Sequence, residues 1–598
     1  MTQRVKKTVK KSLQGVSESK QKEFIAQLVL NEFDKFYNRF KEITESAKDA
    51  FENCDFQESL QISQKRMSLY SVSMYRLGDE ITKSFPDVSK NQEFWDGVED
   101  NFRQFVEYRY EGDLALAYLH SVRRAIFRGE WTPVDYSFGV SSDAKAIFNS
   151  FLMVTFHSDD FDSSLVLKIL RVLGFKAKFR QAENEAKLAA VKIKSELKEQ
   201  YENYKIQKVE IIKGGFFRNR GAYIVGRIIL NDSAVLPLII ALLNGDDGIY
   251  IDAIFTSDSA THNLFSTTRA NFHVNNHYYH ELSEFLHSIM PMRTLGLHYS
   301  TIGFNHFGKV AVMQELKEDL VSSGGIFDFS IGFMGTVAIG FQSPKATYNL
   351  KVIRNSPTNQ YKWGEFEGVS SVLSKYSLVH VINRTGSMLD NIIFYNVKLE
   401  KKWFSEALIE ELLTSASECV SYQGDSLFFR HLIVQSRLTP LPVFLETASQ
   451  ADSETAIVNL GYCIKNNMAA NIFNKDLDAR NYGVGGYSKV YLFDYDALEQ
   501  FAEVKVRTNK HKFEGEEDIP DWFFEEGVVF LPEEIESGLR IPNRSLRKLF
   551  REVHGDLLEV DYYIKIQEEL NSGKVPSVRV YPEWCQICLL YTSDAADE

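Results

Sequence analysis

Asn471-Ile-Phe-Asn-Lys-Asp476, followed by Asn481 and then by Phe493-Asp-Tyr-Asp496, is the stretch on which the reading of this chain turns. It spaces an acid, an amide five residues later and a second acid thirteen residues beyond the amide. Between them, Gly483-Val-Gly-Gly486 supplies a turn and Val490-Tyr-Leu-Phe493 a strand that can carry Asp494 back toward Asp476. These residue types suit one chemistry: a carboxylate to accept a hydroxyl proton, and hard oxygen ligands for Mg²⁺. The plain alternative is that Asp476 caps a turn and that Asp494 and Asp496 are loop acids.

Working outward, order along the chain favours the chemical reading. Upstream lie Ser330-Ile-Gly-Phe-Met-Gly-Thr336, Val337-Ala-Ile-Gly-Phe341 and Tyr348-Asn-Leu-Lys-Val-Ile353. A glycine turn between strands lets backbone N–H groups approach phosphate oxygens, and Lys351 on the next strand adds a point charge. Alone, such a loop is also an ordinary hairpin turn. A glycine loop, a strand lysine, D-x4-N and a later aspartate is nevertheless the order in which protein kinases place these parts. The H-R-D and D-F-G spellings are absent, since Phe473-Asn-Lys-Asp and Asp-Tyr-Asp stand in their places, which disfavours an ordinary eukaryotic-type kinase.

A chain of 598 residues exceeds what one core normally organises, about 250–300 residues, so two domains are expected. Lys+Arg 68 against Asp+Glu 81 gives a formal charge of -13, which disfavours nucleic acid or an anionic membrane as partner and favours a protein or metabolite. Five scattered cysteines make no disulfide framework and point to a reducing cytoplasm. Cys585 and Cys588 form one C-x-x-C without a second ligand pair after it, so zinc is disfavoured there. The longest apolar run, Ala234 to Leu243, is too short to span a bilayer, which takes about 20 residues. The basic N-terminus has no apolar segment behind it and does not read as a secretory signal.

From about Lys20 to Arg128 apolar residues recur at helical spacing, as in Phe33, Phe36, Tyr37 and Phe40. Glu185 to Tyr204 reads as a charged helix and Tyr279 to Ile289 as another. Lys208–Ile212, Ala222–Leu230 and Gly248–Phe255 read as strands of an antiparallel sheet, and Gly324–Gly325 as a boundary. His273 and His277 are four apart, but Val274-Asn-Asn276 lacks the glutamate of a zinc hydrolase, so ordinary histidines are the expectation.

Tyr462-Cys-Ile-Lys-Asn-Asn-Met-Ala-Ala-Asn-Ile-Phe473 and Phe493-Asp-Tyr-Asp496 resemble the isocitrate dehydrogenase kinase/phosphatase family. So do Phe33-Asp-Lys-Phe-Tyr-Asn-Arg-Phe40, Phe217-Arg-Asn-Arg-Gly-Ala-Tyr-Ile224, Gly303-Phe-Asn-His-Phe-Gly-Lys309, Leu438-Thr-Pro-Leu441 and Phe550-Arg-Glu-Val-His-Gly-Asp556. The likeness covers roughly Lys22 to Val575. It implies an α+β chain: a mainly helical regulatory domain with an antiparallel sheet near 208–256 over residues 1–325, and a bilobal protein-kinase-like catalytic domain over 326–588. Leu589 to Glu598 do not resemble the family's basic ending and read as a non-native tail.

The resemblance further implies ATP and Mg²⁺ (or Mn²⁺) as cofactors. Ser330, Ile331, Gly332, Phe333, Met334, Gly335 and Thr336 match the ATP loop, Lys351 the phosphate-contacting lysine, and Glu446 a hinge position near adenine. Asp476 is implied as catalytic carboxylate, Asn481 and Asp494 as metal ligands, and Asp496 as the group positioning water for dephosphorylation. The family phosphorylates and dephosphorylates a serine of NADP-dependent isocitrate dehydrogenase, controlling flow between the citric acid cycle and the glyoxylate bypass. An adenine nucleotide such as AMP is implied as effector at the N-terminal domain. One departure stands out: aligning on Arg384, the family's functional aspartate falls on Ser387, so that either Asp390 substitutes from nearby or one of the two activities is altered. A hydroxyl carries no full negative charge, so the phosphatase is the activity expected to change. The competing readings are a kinase acting on another protein and a nucleotide-binding regulator without turnover.

Overall fold

Residues 17–86, 90–127, 149–201, 203–265, 272–332, 334–361, 365–382, 385–508, 526–574, 576–579 and 581–587 are described by a computed structural model. The aromatic stripe near the start lies on α1 (Glu18–Glu52), where Phe33, Phe36, Tyr37 and Phe40 are all buried. Asp55 accepts a hydrogen bond from Glu58 N and caps α2 (Phe56–Ser84); Asn91 does the same from Phe94 N for α3 (Gln92–Val106). With α4 (Gly112–Phe127) these helices close around Tyr70, Trp95 and Tyr118.

Against this bundle stands a seven-stranded antiparallel sheet: β1 (Met153–Phe156), β2 (Ile206–Ile212), β3 (Phe216–Arg218), β4 (Gly221–Leu230), β5 (Val235–Gly245), β6 (Gly248–Phe255) and β7 (His273–Val274). Strand β4 pairs with β2, β3 and β5, and β6 lies outside β5. Successive side chains of a strand point to opposite faces. Ile239 and Ala241 accordingly join the core shared with the helical bundle, while Ile240 and Leu242 join a second core under α5 (Ser163–Leu170) and α6 (Ala182–Gln200). Both faces are covered, which is why the longest apolar run of the chain is a central strand.

Beyond α7 (Asp258–Phe265), α8 (Tyr279–Ile289) and α9 (Leu295–Thr301), α10 (Asn305–Ser323) leads to Gly324, which takes the left-handed conformation at its C-terminus. Cores do not divide at that glycine. Val310 of α10 packs into the core of the N-terminal helices and the first sheet, whereas Val312, Met313, Leu316 and Leu320 pack with Phe341, Leu350 and Phe394 of the following sheet.

That second, six-stranded sheet contains β8 (Asp328–Phe329), β9 (Ala338–Gln342), β10 (Tyr348–Ile353), β11 (Asn391–Glu400), β12 (Val420–Gln423) and β13 (Ser426–Ser436), in the order β11-β13-β10-β9-β8 with β12 on β13. One helix, α11 (Val369–Ile382), lies between β10 and β11 in sequence and touches α2. After α12 (Glu406–Ser415) and the two strands that follow it, β12 and β13, the chain enters a lobe of small sheets and helices: β14 (Thr439–Pro440), α13 (Leu441–Thr447), α14 (Gln450–Ala469), β15 (Ile472–Asn474), β16 (Tyr482–Val484), β17 (Val490–Leu492) and β18 (Leu498–Gln500). The last described residues return to the first sheet, where Ile587 N donates to Asp252 O of β6 (2.9 Å) and Gln586 bridges Ala253. Among the described residues no helix is long and apolar enough to cross a membrane.

The four histidines near residue 280 go to separate partners: His273 is buried on β7, His277 faces Glu45, His280 faces Asp113 and Tyr299, and His287 meets Arg293 O. Cys585 is buried, and Cys588 and residues 589–598 lie outside the described residues.

His431 on β13 is an acceptor built into the second sheet: its Nε2 takes the N–H of Ile353 at 3.1 Å. Burial pulls its pKa down to about 4. A neutral imidazole is therefore favoured by folding. Its contribution is complete above the unfolded value near 6.5 and is lost as pH falls from about 6.5 to about 4. Buried His262 and His554, also pulled down to about 4, act in the same window. The melting temperature should drop through that range, and less steeply in His431→Gln, whose amide oxygen accepts without titrating; identical profiles by calorimetry would refute this role for His431.

Candidate active site

The hairpin from β8 to β9 holds the glycine loop. Gly332 has φ 109°, a left-handed conformation that a side chain resists, and a Cβ on Gly335 would sit 2.4 Å from Ala338 O. Both glycines are thus required by the backbone path. Arg354 N donates to Val337 O (2.9 Å), and the Arg354 guanidinium reaches Gly335 O and pairs with Glu411, fastening the loop to β10. Ser330 N donates to Gly340 O (3.0 Å). Phe333 lies outside the described residues; Ile331 and Met334 are exposed at the rim.

Beneath the loop is a cleft of about 260 Å³ lined by Ser330, Gly335, Thr336, Lys351, Asp476, Asn481, Asp494 and Asp496, among others. Hairpin β16–β17 brings the last four together: it pairs Tyr482 with Leu492, and Phe493 N donates to Asn481 O (3.1 Å), so the two ends of the turn emerge side by side. Asn481 Nδ2 donates to Asp476 O (2.9 Å), leaving the amide oxygen as its free donor atom toward a cation. Burial pushes the Asp476 carboxyl above its ordinary range, partly offset by Asn481. Asp496 is pushed up to about 7 by burial and by Asp494, against the pull of Lys351.

Lys351 is 6% exposed. Its ammonium donates to Phe493 O at 3.0 Å and to the Tyr376 hydroxyl at 3.3 Å, and lies 3.7 Å from Asp494 Oδ1. Burial lowers its pKa while Asp494 and Asp496 raise it. Among the described residues no cluster of three or more His, Cys, Asp or Glu is disposed to hold a metal alone. Asp494 and Asn481 instead offer the donor set of Mg²⁺, which takes one or two protein oxygens and completes its shell with water and phosphate. The residues fit that ion.

Three expected site residues lie elsewhere. Glu446 is on the exposed side of α13, whose first residue Leu441 is buried; five positions along a helix turn the side chain to the opposite side. Leu438 and Pro440 line the cleft there. Ser387 is 4% exposed and sits in the core, its carbonyl taking Leu492 N (3.0 Å) and its hydroxyl taking Asn466 Nδ2 (3.1 Å). Asp390 lies 3.9 Å from His380; Leu389, between it and Ser387, is the residue of that segment that reaches the cleft. Residues that the sequence reading passed over also line the cleft: Asn349, Arg354, Gln435 and Arg480. Arg354 follows the lysine strand directly, a position that was a usable signal.

The family model for "Isocitrate dehydrogenase kinase/phosphatase (AceK), regulatory domain" matches residues 26–324, and that for the kinase domain of the same name matches 326–583. The chain belongs to the isocitrate dehydrogenase kinase/phosphatase family. It is 43% identical over 564 residues to the isocitrate dehydrogenase kinase/phosphatase of Rhodopseudomonas palustris (strain HaA2), covering 93% of this chain and 92% of the relative. A 42% match to the protein of strain BisB5 covers the same shares. An "isocitrate dehydrogenase kinase/phosphatase 2" of Pseudoalteromonas translucida (strain TAC 125) is 28% identical over 93% of this chain and 98% of its own length. Family membership thus spans the glycine loop, the lysine strand and both acidic segments together.

Because Ser387 is satisfied and buried, placing a carboxylate there should not create a catalytic base. Ser387→Asp is expected to cost about 3 kcal/mol or more by burying an unpaired charge, seen as a lower melting temperature without any gain of phosphatase activity. A stable variant with faster dephosphorylation would overturn that placement.

Proposed function

We propose that the chain is a bifunctional, ATP-dependent kinase and phosphatase of NADP-dependent isocitrate dehydrogenase, acting on one of its serines in the cytoplasm and so setting flow between the citric acid cycle and the glyoxylate bypass. The observation that carries the reading is the meeting of Lys351, Asp476, Asn481, Asp494 and Asp496 in one cleft under the glycine loop, in a chain that the family spans.

In the kinase direction Asp476 accepts the proton of the serine hydroxyl, and its raised basicity suits that task. Lys351 faces the phosphates as a fixed positive charge, and the loop amides hold them. Asn481 and Asp494 would hold Mg²⁺, which would supply neutralisation of the phosphate charge. In the phosphatase direction Asp496 orients water: a carboxyl poised near neutrality can both hold and release a proton. Asp390, 3.9 Å from His380 and next in sequence to the cleft residue Leu389, is assigned a supporting role in that direction.

An adenine nucleotide effector belongs to the same reading. A cavity of about 880 Å³ between α1, α2, the start of α10 and α11 has aromatic walls (Phe36, Phe40, Tyr70) and cations (Lys65, Arg66), which suit a base and a phosphate. Calorimetric titration with AMP should show binding that Ser377→Trp, which fills the cavity, abolishes; unaltered binding would move the effector elsewhere.

Incubating the protein with isocitrate dehydrogenase, Mg²⁺ and radiolabelled ATP should put label on the dehydrogenase and later release it as phosphate. Asp476→Asn should lower transfer by roughly 10²–10⁴-fold with ATP binding retained. Asp496→Asn should remove release more than transfer. No label from wild-type protein would turn the reading toward another substrate or a nucleotide sensor.

A further inference from the structure

Helix α11 packs beside the lysine strand, where ordinary protein kinases carry a glutamate that pairs with the lysine. Its sequence, Val-Ser-Ser-Val-Leu-Ser-Lys-Tyr-Ser-Leu-Val-His-Val-Ile, contains no carboxylate at all. The residue it sends to Lys351 is Tyr376. The phenol oxygen accepts from Lys351 Nζ at 3.3 Å and donates to Asp494 Oδ1 at 2.9 Å. Tyr376 is fully buried, its backbone carbonyl takes Asn391 Nδ2 (3.0 Å), and its ring stands 5.0 Å from that of Tyr495. The ring therefore has one place to be.

We infer that Tyr376 is a positioning residue that takes over the task of the helix glutamate, holding Lys351 and the metal-ligating Asp494 in register through a single neutral hydroxyl. The inference rests on the proposed nucleotide chemistry of this cleft and adds to it a residue with no counterpart in the usual kinase set. A hydroxyl can do what a carboxylate cannot: it accepts from the ammonium and donates to the aspartate at once. A phenol keeps its proton at neutral pH, so the hydroxyl has one hydrogen to give to Asp494 and lone pairs to take the ammonium. A glutamate in this position would add a fourth negative charge to Asp476, Asp494 and Asp496, and would compete with phosphate for Lys351. A neutral partner leaves the lysine charge for the ligand.

Removing the hydroxyl alone separates positioning from packing. Tyr376→Phe keeps the ring, and the Mg²⁺ concentration giving half-maximal ATP binding, read by calorimetry, should rise about tenfold, the loss expected for a hydrogen bond to a charged group. The kcat for transfer should fall about tenfold, with the ATP KM at saturating Mg²⁺ changing less than about threefold. Tyr563→Phe, which removes a buried hydroxyl bonded to Leu557 O and outside the cleft lining, should lower the melting temperature without moving the Mg²⁺ requirement. A folded Tyr376→Phe protein with the wild-type Mg²⁺ requirement overturns the inference. Wild-type protein that binds Mg²⁺ and ATP but labels no dehydrogenase sinks the substrate reading only, because this test is read from binding; wild-type protein that binds neither overturns both.

Discussion

An ammonium group out of water is the constraint around which the catalytic half is organised. A buried cation costs several kcal/mol unless partners surround it. Lys351 reaches its partners only if three separate elements arrive together: α11 with Tyr376, the end of β17 with Phe493 O, and the loop after it with Asp494. The sheet, the helix and the acidic loop are consequently fixed relative to one another before any ligand enters. Asp494 gains most from this, because a short carboxylate on a loop would otherwise sample many rotamers. The same arrangement leaves the cleft negative on one side and positive on the other, as a phosphate bound through a cation requires.

How much of this was legible follows from the distance over which each feature is decided. Asn481 and Asp494 flank one short hairpin and Asp476 lies five residues before it, held by Asn481 Nδ2, so their spacing in sequence nearly dictates their spacing in space, and they could be read together. The stripe Phe33, Phe36, Tyr37, Phe40 is equally local, since helical periodicity alone buries it. Tyr376 was not legible. A tyrosine in an apolar helix reads as core, and only the packing of α11 against β10 and the loop after β17 shows where its hydroxyl ends. Ser387 was misleading for the same reason: the neighbouring Met388 forms a bridge to Leu492, a pairing more than a hundred residues long in sequence, and that pairing turns the serine inward. Strand β5 shows in the sequence only as an apolar run, because alternation disappears when both faces of a sheet are covered.

The two family segments meet in the sequence near Gly324, yet side chains of α10 belong to cores on both sides of it. Side chains of α11 are similarly divided. Tyr376 faces Lys351 and Asp494, while Ser377 and His380 line the large cavity against α1 and α2. One helix therefore has Lys351 on one side and the N-terminal helices α1 and α2 on the other. A helix turn is only 5.4 Å in pitch, so a shift of α11 by a fraction of that length changes both surfaces at once.

The return of residues 581–587 to β6 has a consequence of another kind. Tyr581 donates to Asp252, Ile587 N pairs with Asp252 O, and Lys192 on α6 donates to Trp584 O, so the late chain is stitched to the earliest sheet. The catalytic half is held at both of its ends, as an insertion into a host domain would be. A backbone cut at Gly324–Gly325 would leave the late segment still bonded to β6 and α6 of the first half.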